Sequence, residues 1–193
     1  MRKFMQVLFA LLLFSPVICK LSAQDMTAES GDNSMSSLVK LVMDDLKYTG
    51  DKVMQLADAV PSSDYSWRPE DGVRSVSEVF VHIAMSNYFL LSYLGAEMPK
   101  NFKPGTENQD LEKTMTNKEE IIKLLKKSFA DAESFLAGYG DTDFDTVVEL
   151  PFGKFTKAQL LMICATHPHE HLGQSIAYAR TNHITPPWSK KEN

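Results

Sequence analysis

Three times in this chain a serine or threonine stands three residues ahead of a Glu or Gln at the head of an apolar stripe: Ser75-Val76-Ser77-Glu78, Thr116-Asn117-Lys118-Glu119 and Thr156-Lys157-Ala158-Gln159. That spacing is a capping box, in which the hydroxyl and the side chain three residues on satisfy backbone N–H groups that the first turn of a helix leaves without partners. Each box therefore predicts a helix. The first runs to about Leu94, before Gly95; the second carries Ile121, Ile122, Leu124, Leu125, Phe129 and Phe135 to near Gly138; the third reaches about Asn182, and Pro186-Pro187 closes the domain. Upstream, from Ser36 to about Val60, Leu38, Leu41, Val42, Leu46, Val53, Leu56 and Val60 recur mostly three or four apart, which is helical spacing. Gly50 is the weak point of that helix and is expected to loosen or kink it, since Gly costs about 1 kcal/mol against Ala in a helix interior.

The connections are less regular. Pro61-Ser62-Ser63-Asp64 ends the first helix, and Trp67-Arg68-Pro69 continues an irregular segment up to Ser75. Residues 96–115, interrupted by Pro99, Pro104 and Gly105, read as a long polar loop between the second and third helices. Residues 146–155 form a short extended pair or only a loop, because Pro151 and Gly153 favour a turn. Four amphipathic helices without a convincing set of strands predict an all-α fold, a four-helix bundle whose sites are built from inward-facing side chains of neighbouring helices.

The amino-terminal end reads as an address. Met1-Arg2-Lys3 followed by the mostly apolar run Phe4 to Ile18 has the charged start and short greasy middle of a secretory signal peptide, with cleavage expected after Ala23. The competing reading makes Cys19 a lipid-anchored first residue, but bulky Ile18 stands where a lipoprotein signal has a small one. Residues 24–35 are polar and expected to be a disordered leader to a domain over 36–189. The exported chain would be periplasmic or secreted, and no later apolar run approaches the roughly 20 residues a membrane-spanning helix needs. Loss of residues 1–23 removes Arg2, Lys3 and Lys20 and no acid, taking the net charge from −5 to −8. An acidic chain whose main Lys cluster (Lys123, Lys126, Lys127) is offset by Glu119, Glu120, Asp131 and Glu133 is unsuited to nucleic acid or to an anionic membrane surface. Cys164 then remains as the one cysteine, so no internal disulfide can form and an ordinary core must supply the stability.

Three of the five histidines fall within five positions, in Thr166-His167-Pro168-His169-Glu170-His171. On a helix His167 and His171 stand one turn apart on one face, where two imidazoles can converge on an ion, whereas His169 is rotated by about 200° from His167. His82, on the expected buried stripe of the second helix with Val79, Phe89 and Tyr93, supplies a third imidazole across the bundle. Three neutral imidazoles suit Zn²⁺, Ni²⁺ or a similar borderline divalent ion and leave positions for water, as catalytic metal sites do. Cys164 is either a fourth ligand or a packed thiol. His169 is a reserve ligand or proton carrier, or lies on the surface. Gln174 orients water or a ligand, or bonds a neighbouring helix. Glu170 and Glu78 stand near the histidines as candidate supporting acids, against solvated or capping roles. Pro168 should kink or bulge the helix beside the site, because it removes an amide and crowds the Cys164 carbonyl.

Taken in order, Trp67-Arg68-Pro69, then Gly72-Val73-Arg74-Ser75, His82-Ile83-Ala84, His167-x-x-x-His171-x-Gly173-Gln174 and the tail Tyr178-Ala179-Arg180 to Pro186-Pro187-Trp188-Ser189 resemble the DinB-like metalloprotein superfamily over about residues 36–189. The resemblance implies an up-up-down-down-like four-helix bundle, a divalent metal on His82, His167 and His171, and frequent homodimers. Its members with assigned chemistry include thiol-dependent transferases and isomerases. Pro168, His169 and the export signal depart from that pattern, and export makes a cytosolic thiol harder to supply. These readings imply an exported metal-dependent hydrolase or transferase of unknown substrate, or else a non-enzymatic bundle that binds a small ligand or partner around a structural metal.

Overall fold

Helix starts follow the capping chemistry closely. In the computed structural model, which describes residues 36–190 apart from 101, 103–105 and 141–142, helix α1 spans Ser37–Ala59 and Ser36 caps it by accepting from the Val39 amide. Both halves of the box form at Ser75 and Glu78 ahead of α2 (Val76–Ser92). The expected signal peptide and leader lie outside the described residues.

The predicted long loop contains a helix, α3 (Thr106–Thr114). Leu111 is its one apolar residue, so no periodicity could have marked it, and an isolated nine-residue helix is marginal without tertiary support. That support comes chiefly from α2. The next helix, α4 (Lys118–Ala137), is capped by Asn117, which accepts from the Glu120 amide, so a single cap one residue on stands in place of the box expected at Thr116. Asn is at least as good an N-cap as Thr, which explains the shift. The extended pair does form: β1 (Val147–Leu150) and β2 (Gly153–Thr156) are antiparallel, with Val147 opposite Thr156 and Leu150 opposite Gly153. Helix α5 (Lys157–Thr181) follows directly, with a complete box at Thr156 and Gln159. It runs unbroken through buried Pro168, so the expected distortion does not interrupt the helix.

The four long helices form the bundle. α1 and α2 each pack against both α4 and α5. Val42, Leu46 and Leu56 of α1, Phe80 and Ile83 of α2, Ile121 and Leu125 of α4, and Leu160 and Leu161 of α5 are almost wholly buried in one core. Each such side chain contributes about 1.5–3 kcal/mol by leaving water. Leu41, expected on the inner stripe, is 66% exposed, and Val39 takes the inward position instead. No helix among the described residues is long and apolar enough to cross a membrane.

Gly50 does not break α1; it lets α4 approach. A Cβ at this buried position would lie 2.8 Å from Cδ1 and 2.9 Å from Cγ of Phe129, so the ring lies where a side chain would be. Close packing thus outweighs helix propensity here. Gly50→Ala should lower stability in urea unfolding by about 1–3 kcal/mol, the usual cost of overpacking a core. With Phe129→Leu added, the combined loss should fall short of the sum of the two single losses. A Gly50→Ala variant more stable than the parent would show that the ring does not need the space.

Glu78 ties this scaffold to pH. Burial acts to raise its pKa, but bidentate hydrogen bonds from Arg68 (2.9 and 3.2 Å), the Ser75 amide (2.8 Å) and the Arg68 charge hold it below the ordinary carboxylate value. A carboxyl depressed on folding stabilises fully above its unfolded pKa and loses that contribution as pH falls through the folded one. The parent's advantage over Glu78→Gln in thermal melts should therefore be complete at neutral pH and vanish in acid; a difference that is flat with pH would refute the assignment.

Candidate metal centre

α2 and α5 meet at three imidazoles. His82 comes from the middle of α2, and His167 and His171 from successive turns of α5, all half-buried. One ring nitrogen from each lies within 4.8 Å of the others, and the ring centroids are 4.5 Å (His167–His171), 4.6 Å (His82–His171) and 5.1 Å (His82–His167) apart. These three side chains can hold one metal ion. The sequence reading of His82 as a core-facing residue needs adjustment: most of α2 is buried, but this ring faces the cluster rather than the apolar core.

Neighbouring groups decide which nitrogen each ring presents. His82 Nδ1 donates to Glu112 Oε1 at 2.7 Å, since Glu112 is held ionised and can only accept. Burial alone would raise the Glu112 pKa, and the hydrogen bonds from His82 and from Arg74 Nε (2.9 Å) bring it below the usual range. His171 Nδ1 donates to Gln174 Oε1 at 2.9 Å, and Gln174 Nε2 in turn donates to the Tyr178 hydroxyl at 2.9 Å. With Nδ1–H engaged, both rings keep Nε2 as a free lone pair. Trp67 packs edge-on against Tyr178, with centroids 5.3 Å apart, so the Trp67-Arg68-Pro69 segment braces the far end of this chain.

Burial disfavours charge on the two histidines of α5. Burial first, then His171, His82 and Arg74, lower the His167 pKa to about 3. Burial likewise lowers that of His171, against the opposing effect of the hydrogen bond it donates to Gln174. Neutral imidazole is the ligating form. His167 Nδ1 is buried without a hydrogen-bond partner among the described residues, which costs about 1–3 kcal/mol unless another group compensates. A set of three imidazoles, two with their outer ring nitrogens already engaged, fits a borderline divalent ion.

The other expected site residues are placed elsewhere. Cys164 is buried and outside the cluster, and burial pushes its thiol up to about 12, so it is a protonated packing residue. His169 turns to α1, where Nε2 lies 2.7 Å from Thr49 Oγ1 and 3.0 and 3.1 Å from the Asp45 carboxylate oxygens; it joins α5 to α1 and does not reach the cluster. Glu170 is exposed. Glu78 caps α2 and pairs with Arg68, as its capping alternative held. The supporting acid is Glu112, which sequence reasoning missed because it sits on the one helix without an apolar pattern. A cleft of about 650 Å³ walled by Arg68, Arg74, Glu78, Gln109, Glu112 and Gln174 lies beside the cluster, and its wall includes the two side chains that hold His82 and His171.

Comparison with known proteins agrees with this architecture. A DinB-like protein from Bacillus cereus superposes with a TM-score of 0.62 at 21% identity, over 77% of this chain and 95% of that one. YfiT from Bacillus subtilis, described as a probable metal-dependent hydrolase with an unusual four-helix bundle topology, matches with a TM-score of 0.62 at 16% identity, over 81% of this chain and 95% of its own. The mycothiol-dependent maleylpyruvate isomerase matches with a TM-score of 0.56 at 14% identity, over 70% of this chain and 59% of its own. At such identities the likeness is one of fold. No protein of curated function matches the sequence. The sequence model of the DinB superfamily matches residues 45–175, and the chain belongs to that superfamily.

Proposed function

We propose that the protein is a metal-dependent hydrolase or transferase whose single divalent ion, Zn²⁺ or Ni²⁺, is held by His82, His167 and His171. The observation that carries this reading is the convergence of three imidazoles with no fourth His, Cys, Asp or Glu joining them among the described residues. A structural zinc usually has four protein ligands, so three favour catalysis over the structural-metal alternative. When bound, such an ion supplies a Lewis acid and a means of activating water.

The chain's own residues do the rest. Glu112 and Gln174 fix the planes of His82 and His171, so the donor set is oriented before an ion arrives. The adjoining cleft is of a size that takes a small molecule, and its charged wall suits a polar one. The likeness to YfiT, described as a probable metal-dependent hydrolase, supports the hydrolase class, and the likeness to a mycothiol-dependent isomerase is the reason thiol chemistry is kept beside it. Export through residues 1–23 belongs to the same proposal and weakens the thiol-dependent branch, because a cytosolic cosubstrate would have to cross a membrane.

Elemental analysis of untagged protein should find about one divalent ion per chain in the parent and far less in His82→Ala and His171→Ala; equal metal in all three would remove the site. Screens of hydrolase and thiol-transfer substrates then separate the reactions. For export, the intact mass of the mature protein should correspond to a start at Gln24, and a lipid-modified start at Cys19 would overturn the cleavage assignment.

A further inference from the structure

Helix α3 is hard to explain by hydrophobic burial. Its sole apolar side chain, Leu111, is half-buried and so worth less than the about 1.5–3 kcal/mol of full burial, while fixing nine backbone residues costs roughly 1 kcal/mol each. Glu112 supplies a specific attachment. Its side chain is 11% exposed, and both oxygens are taken by groups belonging to α2 or its entry: Oε1 by His82 Nδ1 at 2.7 Å and Oε2 by Arg74 Nε at 2.9 Å. Arg74 immediately precedes the Ser75 cap, so this carboxylate is gripped from two points on one rigid element.

We infer that Glu112 is the positioning residue for His82, and that through this contact the docking of α3 and the loading of the three-histidine site stabilise each other. The inference rests on the metal-binding reading above. A carboxylate that accepts from the outer N–H of a ligand imidazole fixes its tautomer and strengthens its donor nitrogen. The same hydrogen bond reports in the other direction: whatever holds the His82 ring still also holds the acceptor, and with it α3. Linkage requires the two effects to be equal in free energy. Glu112 does not face the ion; it acts through His82.

Zinc affinity by chelator competition, imidazole ¹⁵N spectra and amide exchange over residues 106–114 test this in the full-length parent, Glu112→Gln and Glu112→Ala. Glu112→Ala should weaken zinc about 10–100-fold, the usual cost of losing such a partner, and Glu112→Gln, whose amide oxygen still accepts from Nδ1–H, should lose clearly less. Metal-free parent should show His82 as the Nδ1–H tautomer, with a mixture in Glu112→Ala. Zinc should slow exchange across α3 in the parent and not in Glu112→Ala. Parent-like zinc binding by Glu112→Ala, or α3 exchange in the parent that ignores zinc, would overturn the inference. If Glu112→Ala does not fold, the Gln variant decides: zinc binding and tautomer close to the parent's support the acceptor role, and a loss as large as removal of a ligand overturns it. Should the parent itself hold no metal, the metal reading fails, while the tautomer spectra still decide the role of Glu112.

Discussion

Three imidazoles packed with centroids 4.5–5.1 Å apart cannot all be charged, and two donor lone pairs aimed into one small space repel each other. Nothing in the cluster itself favours this arrangement, so the surrounding structure must hold it. Burial disfavours the charged form at His167 and His171. Direction is enforced by acceptors outside the ring triangle, Glu112 for His82 and Gln174 for His171. A His167 nitrogen buried with no partner among the described residues, beside two such lone pairs, is a local cost that the core must offset.

The helices meet that demand because their starts are over-determined. Glu78 closes the cap of α2 and binds Arg68, while the backbone of Trp67 and Tyr65 accepts from the amides of Val76 and Ser77 at 3.0 and 2.8 Å. The irregular segment before α2 is thus fastened to the first turn of the helix that carries His82. From the same segment Trp67 reaches Tyr178, whose hydroxyl accepts from Gln174, whose oxygen accepts from His171. Capping, packing and ligand orientation form one connected structure running from α2 to α5.

This connectivity explains what could be read from sequence. Caps and apolar spacing are local, and they marked the four bundle helices to within a residue or two of their observed starts; the pair His167 and His171, one helical turn apart, is local as well. His82 needed only the step from two helices to one bundle. Gly50 could not be judged locally, because its reason is a Phe129 ring on another helix 2.8 Å from where a Cβ would stand. Glu112 was invisible for the complementary reason: α3 has almost no apolar pattern, and the carboxylate acquires its meaning from His82, thirty residues earlier in the chain. His169 showed the limit of proximity in sequence, since two residues from each ligand it bonds Thr49 and Asp45 on α1.

That last contact bears on Pro168. An interior proline leaves the Cys164 carbonyl without its usual amide donor and ordinarily weakens a helix by about 3 kcal/mol. Here the proline is buried between Ala165 and Leu172 on the core side, and its neighbours on the chain are each fixed to something: His167 in the cluster, His169 to α1. Tertiary contacts on both flanks therefore hold the helical path where the local sequence resists it. The pairing of His169 with α1 and of His167 and His171 with α2 places α5 between two rigid partners at the level of the candidate site.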